Sequence, residues 1–309
     1  MQTHLVTFDG AGLKLAGTLH IPSDAAAPRP AIIVGHPASG VKEQAAGLYA
    51  RRLCERGFIA LTFDTGTQGE SEGSPRGVED PARRVEEFKD AVSFLSTRGE
   101  VDPSRIGVLG ICASGGYAVP AAAVDHRIRA VAIVSAADVG AQFRTGADGK
   151  QSPAIVEGML DAAAAARTAE ARGEGVQTFP LFPTNEADAR ASGPHAFEGW
   201  EYYCTDRGQH PRSAKVFTWA SVDRIVAFDP FRFIGMIAPR PLLMVVGTQA
   251  ETRWMSQAAL ELAQDPKELF WIDGATHVDL YDRPEYVGPA VGKVSQFFED
   301  SLRLTSERL

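Results

Sequence analysis

The sequence predicts an α/β chain with a mostly parallel central sheet, helices flanking it, and one long insertion late in the sheet. Three observations lead there. Runs apolar on both faces recur as AIIVGH, FIALTFD, RIGVLGI, RAVAIVSAA and RPLLMVVG, as strands covered on both sides by helices require. Stretches with helical spacing of apolar residues separate the first of these runs. The 309 residues, 44% hydrophobic and 23% charged, are ordinary for a soluble globular chain and long enough for one large domain with a substantial core.

In order, LVTFDGAGLKLAGTLHI alternates apolar and polar residues around a Gly-containing turn, which reads as an antiparallel hairpin at the sheet edge. A Pro-rich spacer, Pro22 to Pro30, leads into AIIVGH. The helical segment AAGLYARRLCERG and the strand FIALTFD follow, and then the long helix PARRVEEFKDAVSFLSTRG with Val85, Phe88, Val92 and Phe94 or Leu95 near helical spacing. VDPSRIGVLGI closes a strand-helix-strand crossover, and PAVGKVSQFFEDSLRLTS is the expected closing helix. Between SAAD and RPLLMVVG lie about ninety residues, far more than one crossover needs. Their first half is Ala-rich and favours helix. The second gathers Trp200, Tyr202, Tyr203, Phe217 and Trp219. The expected organisation is a core of residues 1–138 and 230–309 carrying an inserted lid or cap, 139–229, mostly helical.

A formal charge of -8 and a pI near 5.4 argue against a nucleic-acid partner, which is held largely by basic residues. No apolar stretch is long enough to cross a bilayer and the start lacks a signal-peptide pattern, so a cytoplasmic protein without membrane attachment is expected. Cys54, Cys112 and Cys204 are odd in number, widely spaced and free of C-x-x-C pairs, which disfavours a disulfide framework and a zinc site.

The most informative segment is GVLGICASGGYAVPAAA, where a buried strand runs through small residues into a helix. That joint can present a nucleophile in the pattern G-x-S-x-G, whose small flanks permit a strained backbone. Here Gly110, Cys112 and Ser114 fill the three positions. Cys112 is the expected nucleophile, because a helix N-terminus and a neighbouring imidazolium both favour a thiolate. Ser114 falls too late in the turn. A structural cysteine acting as a small hydrophobe is the competing reading.

A nucleophile needs a base oriented by a third group. His277, in DGATHVDLYD, follows the strand ELFWID and a Gly-containing loop near the C-terminus. Glu251, in the loop after RPLLMVVG, stands at the carboxyl edge of the sheet where active-site groups collect. Asp279 remains open as the acid. Two donors must face the developing oxyanion. The backbone N–H of Ala113 is one candidate. Because Pro37 has no N–H, Ala38 is the other, while His36 reads as structural. Trp200, Tyr202, Tyr203 and Trp219 are candidates for lining an acyl pocket, although such residues more often build a core.

With GICASGG, AIIVGHPASGVKEQ, FDTGTQGESEGSPR and IDGATHVDLYD together, the chain resembles the α/β-hydrolase superfamily, specifically a cysteine-nucleophile, dienelactone hydrolase-like branch similar to the polyketide transferase and thiohydrolase family. The resemblance implies the α/β-hydrolase fold and a hydrolase or acyltransferase acting on an ester, thioester or lactone. Cys112 and His277 would stand at the elbow and late-loop positions, and Cys, acid, His follow the chain order of that fold. The expected mechanism is a covalent acyl-enzyme on Cys112 with no metal or organic cofactor and a small-molecule acyl substrate. A homodimer is compatible with the sequence. The rival readings are a dienelactone or lactone hydrolase specifically, and a catalytically silent member of the fold that binds a ligand.

Overall fold

The computed structural model describes residues 1–23 and 28–303. Part of the Pro22 to Pro30 spacer and the last residues expected in the closing helix lie outside them. Among the described residues ten strands and eleven α-helices follow in chain order: β1 Gln2–Gly10, β2 Leu13–Ile21, β3 Arg29–Gly35, α1 Ala45–Glu55, β4 Ile59–Phe63, α2 Pro81–Ser96, β5 Val101–Ile111, α3 Ala113–Val124 and β6 Ile128–Val134. The insertion then carries α4 Val139–Thr145, α5 Pro153–Ala171, β7 Thr178–Pro180, α6 Glu186–Ala191, α7 Pro194–Cys204, β8 Val216–Thr218 and α8 Val222–Val226. The chain returns to the core with β9 Leu242–Gly247, α9 Arg253–Leu262, β10 Lys267–Ile272, α10 Asp279–Asp282 and α11 Pro284–Ser301.

Eight strands form one sheet in the order β1-β2-β4-β3-β5-β6-β9-β10. The pairs from β4 to β10 are parallel, and β1 and β2 are the antiparallel hairpin that closes one edge, as the sequence predicts. The central strands are buried toward their carboxyl ends because α2 and α3 cover one face and α1 and α11 the other. Phe88 on α2 and Phe298 on α11 are fully buried on opposite sides, each contributing roughly 1.5–3 kcal/mol of apolar burial. α2 starts where it does because the Asp80 carboxylate accepts the N–H groups of Ala82 and Arg83 and Pro81 occupies its first turn. Among the described residues no helix is long and apolar enough to cross a membrane.

Residues 139–229 run between β6 and the approach to β9, and their two short strands pair with each other and not with the main sheet. Val139, Phe217 and Ile225 pack in the same apolar cluster as the sheet. The segment is bonded to the core at several further points. The Ser213 hydroxyl donates to the Ser39 carbonyl at 2.7 Å, the Lys215 N–H donates to the Ser39 hydroxyl at 2.9 Å, and Gln44 donates to the Gly208 carbonyl at 2.6 Å. Arg207 grips Asp282 with two bonds of 3.0 and 2.8 Å and Glu201 with one of 2.5 Å.

At the end of β5 the chain must turn straight into α3, and Gly110 makes room for that turn. A Cβ there would lie 2.2 Å from the Ser114 carbonyl oxygen. Gly110→Ala is therefore expected to destabilise the protein by roughly 3 kcal/mol or more, measured as a fall in the denaturant midpoint; an unchanged midpoint would contradict this account of the turn.

Candidate active site

Cys112 follows that glycine by two residues and caps α3 with φ 54° and ψ -120°. Its N–H donates to the Val134 carbonyl at 3.0 Å, and its carbonyl accepts from Ala137 at 3.0 Å and Gly115 at 2.9 Å. The neighbouring strand and the helix thus hold a conformation that residues with a Cβ rarely adopt. The side chain is aimed at a cavity of about 710 Å3, bounded on one side by the carboxyl ends of the sheet and on the other by the insertion.

Two backbone donors face the Cys112 sulfur, the N–H groups of Ala113 and Ala38. Ala113 comes with the start of α3. Ala38 comes with a loop fixed from below by His36, whose Nδ1 bonds the Pro37 carbonyl at 2.7 Å and whose Nε2 accepts the Thr65 N–H at 3.3 Å. Accepting at Nε2 leaves the ring proton on Nδ1, where it donates to that carbonyl. Burial lowers the pKa of His36 to about 3, which keeps the ring neutral in this role. Arg84 binds the His36 carbonyl at 3.0 Å and the Ser114 hydroxyl at 2.9 Å, and Ser114 donates back to the same carbonyl at 2.6 Å. Ser114 is buried in this brace and takes no place in the cavity wall.

His277 is fully buried beside the cavity. Its Nδ1 lies 2.6 Å from the Thr252 hydroxyl, and its Nε2 lies 3.0 Å from the Tyr281 hydroxyl. Tyr281 also hydrogen-bonds toward Cys112, so the phenol stands between sulfur and imidazole. Neither carboxylate named from the sequence is on the His277 ring. Glu251 accepts the backbone N–H of His195 at 3.1 Å, and Asp279 accepts the Thr276 N–H at 3.1 Å and pairs with Arg207. In the loop after β9 it is Thr252, one position past Glu251, that meets the base. The carboxylate whose charge reaches His277 is Glu198 of the insertion. Its Oε2 accepts the Val278 N–H at 3.0 Å, and its Oε1 lies 2.9 Å from His195 Nδ1.

Of the four aromatic residues expected in the pocket, Tyr203 alone lines the cavity. Tyr202 packs edge-on between Tyr203 and Tyr281, Trp200 stacks on Phe197, and Trp219 lies against Phe179, which is itself a wall residue. None of these three reaches the cavity wall. Sequence reasoning missed Thr252, Tyr281, His195 and Glu198. The signals available were the i, i+4 spacing of His277 and Tyr281 and the i, i+3 spacing of His195 and Glu198. Among the described residues no group of three or more His, Cys, Asp or Glu side chains is arranged to hold a metal ion.

The family model of the dienelactone hydrolase family matches residues 15–171. The Escherichia coli K12 protein YcjY is 35% identical over 308 residues, covering 98% of this chain and all of its own. Thiohydrolase aneE of Aspergillus aculeatus is 29% identical over 79% of this chain and 75% of its own. The crystal structure of PA2218 from Pseudomonas aeruginosa superposes with a TM-score of 0.90 at 34% identity, over 97% of this chain and 94% of that one. Solved hydrolases of lower identity share the architecture, among them GrgF of Penicillium with a TM-score of 0.82 at 21% identity.

The electrostatics of the site make a measurable difference. Burial raises the Cys112 pKa, against the pull of Tyr281, the two N–H groups and Arg84, and burial lowers that of His277 to about 3. The resting pair is therefore thiol and neutral imidazole. Alkylation of Cys112 by iodoacetamide is expected to rise about tenfold per pH unit up to the thiol pKa, read by peptide mass spectrometry. A rate plateau between about pH 4 and 8, the mark of a thiolate-imidazolium pair, would contradict it.

Proposed function

Because the chain belongs to the dienelactone hydrolase family and is an α/β-hydrolase enzyme, we propose that it hydrolyses or transfers the acyl group of a thioester or ester through a covalent acyl-Cys112 intermediate. The observation that carries this reading is the convergence on one sulfur of two backbone donors and the Tyr281-His277 path. The family match and the likeness to a thiohydrolase support the same chemistry.

In the proposed mechanism the Cys112 sulfur attacks the acyl carbonyl and forms the new C–S bond. The displaced electron pair settles on the carbonyl oxygen, between the N–H groups of Ala38 and Ala113. The thiol proton moves to the Tyr281 oxygen while the Tyr281 proton moves to His277 Nε2, so the tyrosine carries no net charge. Thr252 accepts from Nδ1 and fixes the tautomer that leaves Nε2 free to take the proton. Collapse of the tetrahedral intermediate breaks the bond to the leaving group, which receives that proton, and leaves the thioester on Cys112.

The cavity volume falls within the roughly 300–1,000 Å3 usual for small-molecule sites. Its walls include Phe143, Met159, Phe179, Leu181, Phe217 and Ile225, which suit an apolar acyl chain. The Tyr203 ring lines the same cavity. In this reading the insertion acts as the lid that shapes the pocket. Lactone hydrolysis through the same acyl-Cys112 chemistry is the second reading, supported by the dienelactone hydrolase family match.

The test is turnover of acyl thioesters, p-nitrophenyl esters and small lactones by wild type, Cys112→Ala and His277→Ala. Thioester and ester turnover is expected in wild type and should fall to background in both variants; full activity of Cys112→Ala would refute the proposal. Tyr281→Phe is expected to lower kcat/KM about 100-fold, within the usual range for a lost proton-transfer group. Unchanged kcat/KM would show that sulfur and imidazole communicate without the phenol.

A further inference from the structure

The insertion brings a second imidazole into the cavity, and its partners differ from those of His277. His195 stands in the first turn of α7, one turn from Glu198, with its Nδ1 2.9 Å from the Glu198 carboxylate. The helix is pinned from both sides: Glu251 accepts the His195 backbone N–H at 3.1 Å, and Glu198 accepts the N–H of Val278, the residue after His277. The two imidazoles meet edge to face with ring centroids 4.9 Å apart, and both line the cavity that holds Cys112.

We propose that His195, oriented by Glu198, is a second general base that activates the acyl acceptor when acyl-Cys112 is resolved. The inference rests on the acyl-enzyme reading above and assigns its second half. Three features separate the duties of the two histidines. His277 is fully buried, its Nε2 is committed to Tyr281, and its Nδ1 meets a hydroxyl, so it is placed to serve the sulfur beneath it. His195 is half-buried at the cavity wall, where an incoming acceptor reaches it first. A carboxylate on Nδ1 fixes the tautomer with the Nδ1 proton toward Glu198 and a lone pair on Nε2, the arrangement in which an imidazole best removes a proton. That Nε2 is met by the Gln142 side-chain amide at 3.2 Å, a contact that an acceptor hydroxyl can replace.

The acceptor O–H gives its proton to His195 Nε2, the acceptor oxygen bonds to the thioester carbonyl carbon, and the C–S bond to Cys112 breaks. The first leaving group has already removed the proton from His277, so the released sulfur takes a proton from solvent, and His195 returns its own proton to solvent. Glu198 and Glu251 beside His195 make the environment anionic, which favours water or an uncharged alcohol over a carboxylate or phosphate acceptor.

The experiment compares wild type, His195→Gln and Glu198→Gln mixed with a p-nitrophenyl ester, reading the p-nitrophenol burst and the intact mass together. His195→Gln is expected to acylate within about threefold of the wild-type rate but to turn over about 100-fold more slowly, so that acyl-Cys112 accumulates to near one per chain. Hydroxylamine, which needs no base, should clear that adduct as fast as it clears the wild-type one. Glu198→Gln should show the same split in milder form. An adduct that clears into water from His195→Gln at the wild-type rate overturns the role of His195 alone. Burst and turnover falling together by one factor would mean a structural effect and also overturns it. Absence of any adduct in wild type and variants removes the acyl-enzyme and this role with it.

Discussion

Cys112 sits at φ 54° and ψ -120°, a backbone state that carries about 1–3 kcal/mol of strain, and the rest of the site is arranged around what holds it there. Val134 on β6 anchors its N–H, and the start of α3 anchors its carbonyl. That turn lifts the side chain clear of the sheet and aims the first free N–H of α3, on Ala113, back at the sulfur. The strain is offset by the buried strands on both sides, so the sheet serves the site as a clamp. The space that Gly110 leaves open is part of the same device.

The other parts reach the sulfur through long-range packing. The Ala38 loop is set by the neutral His36 and by Arg84, and from above by Ser213 and Lys215 of the insertion. The loop bearing His277 is set by Glu198 and Arg207, also from the insertion. A segment that could have been a passive cover therefore fixes the donor loop and the base loop together. In the proposed chemistry this couples the shape of the acyl pocket to the geometry of the reacting groups. A hydroxyl, Thr252, meets Nδ1 of His277, and burial keeps the ring neutral.

The fold was legible because its signals are local and strong. Continuous apolar runs mark β3, β4, β5, β6 and β9, and alternation marks the β1-β2 hairpin. Gly110 and Cys112 were legible for the same reason, since a strand, a turn and a helix lie in one short segment. The group on His277 was not. Glu251 and Thr252 are neighbours in one loop, and neither composition nor chain order says which of them meets the ring. The inward face of the insertion was hidden for a further reason. Glu198 meets Val278, eighty positions away in the chain, and Trp200 and Trp219 look like pocket residues until their own ring partners, Phe197 and Phe179, are known.

The account turns on whether the sulfur of Cys112 becomes acylated. The most direct measurement is a peptide map by mass spectrometry of the protein quenched in acid within seconds of mixing with a p-nitrophenyl ester. The account predicts one acyl group, on the peptide containing Cys112, released by hydroxylamine at neutral pH as a thioester is. An acyl group on Ser114, or continued turnover with no acylated peptide, would contradict it.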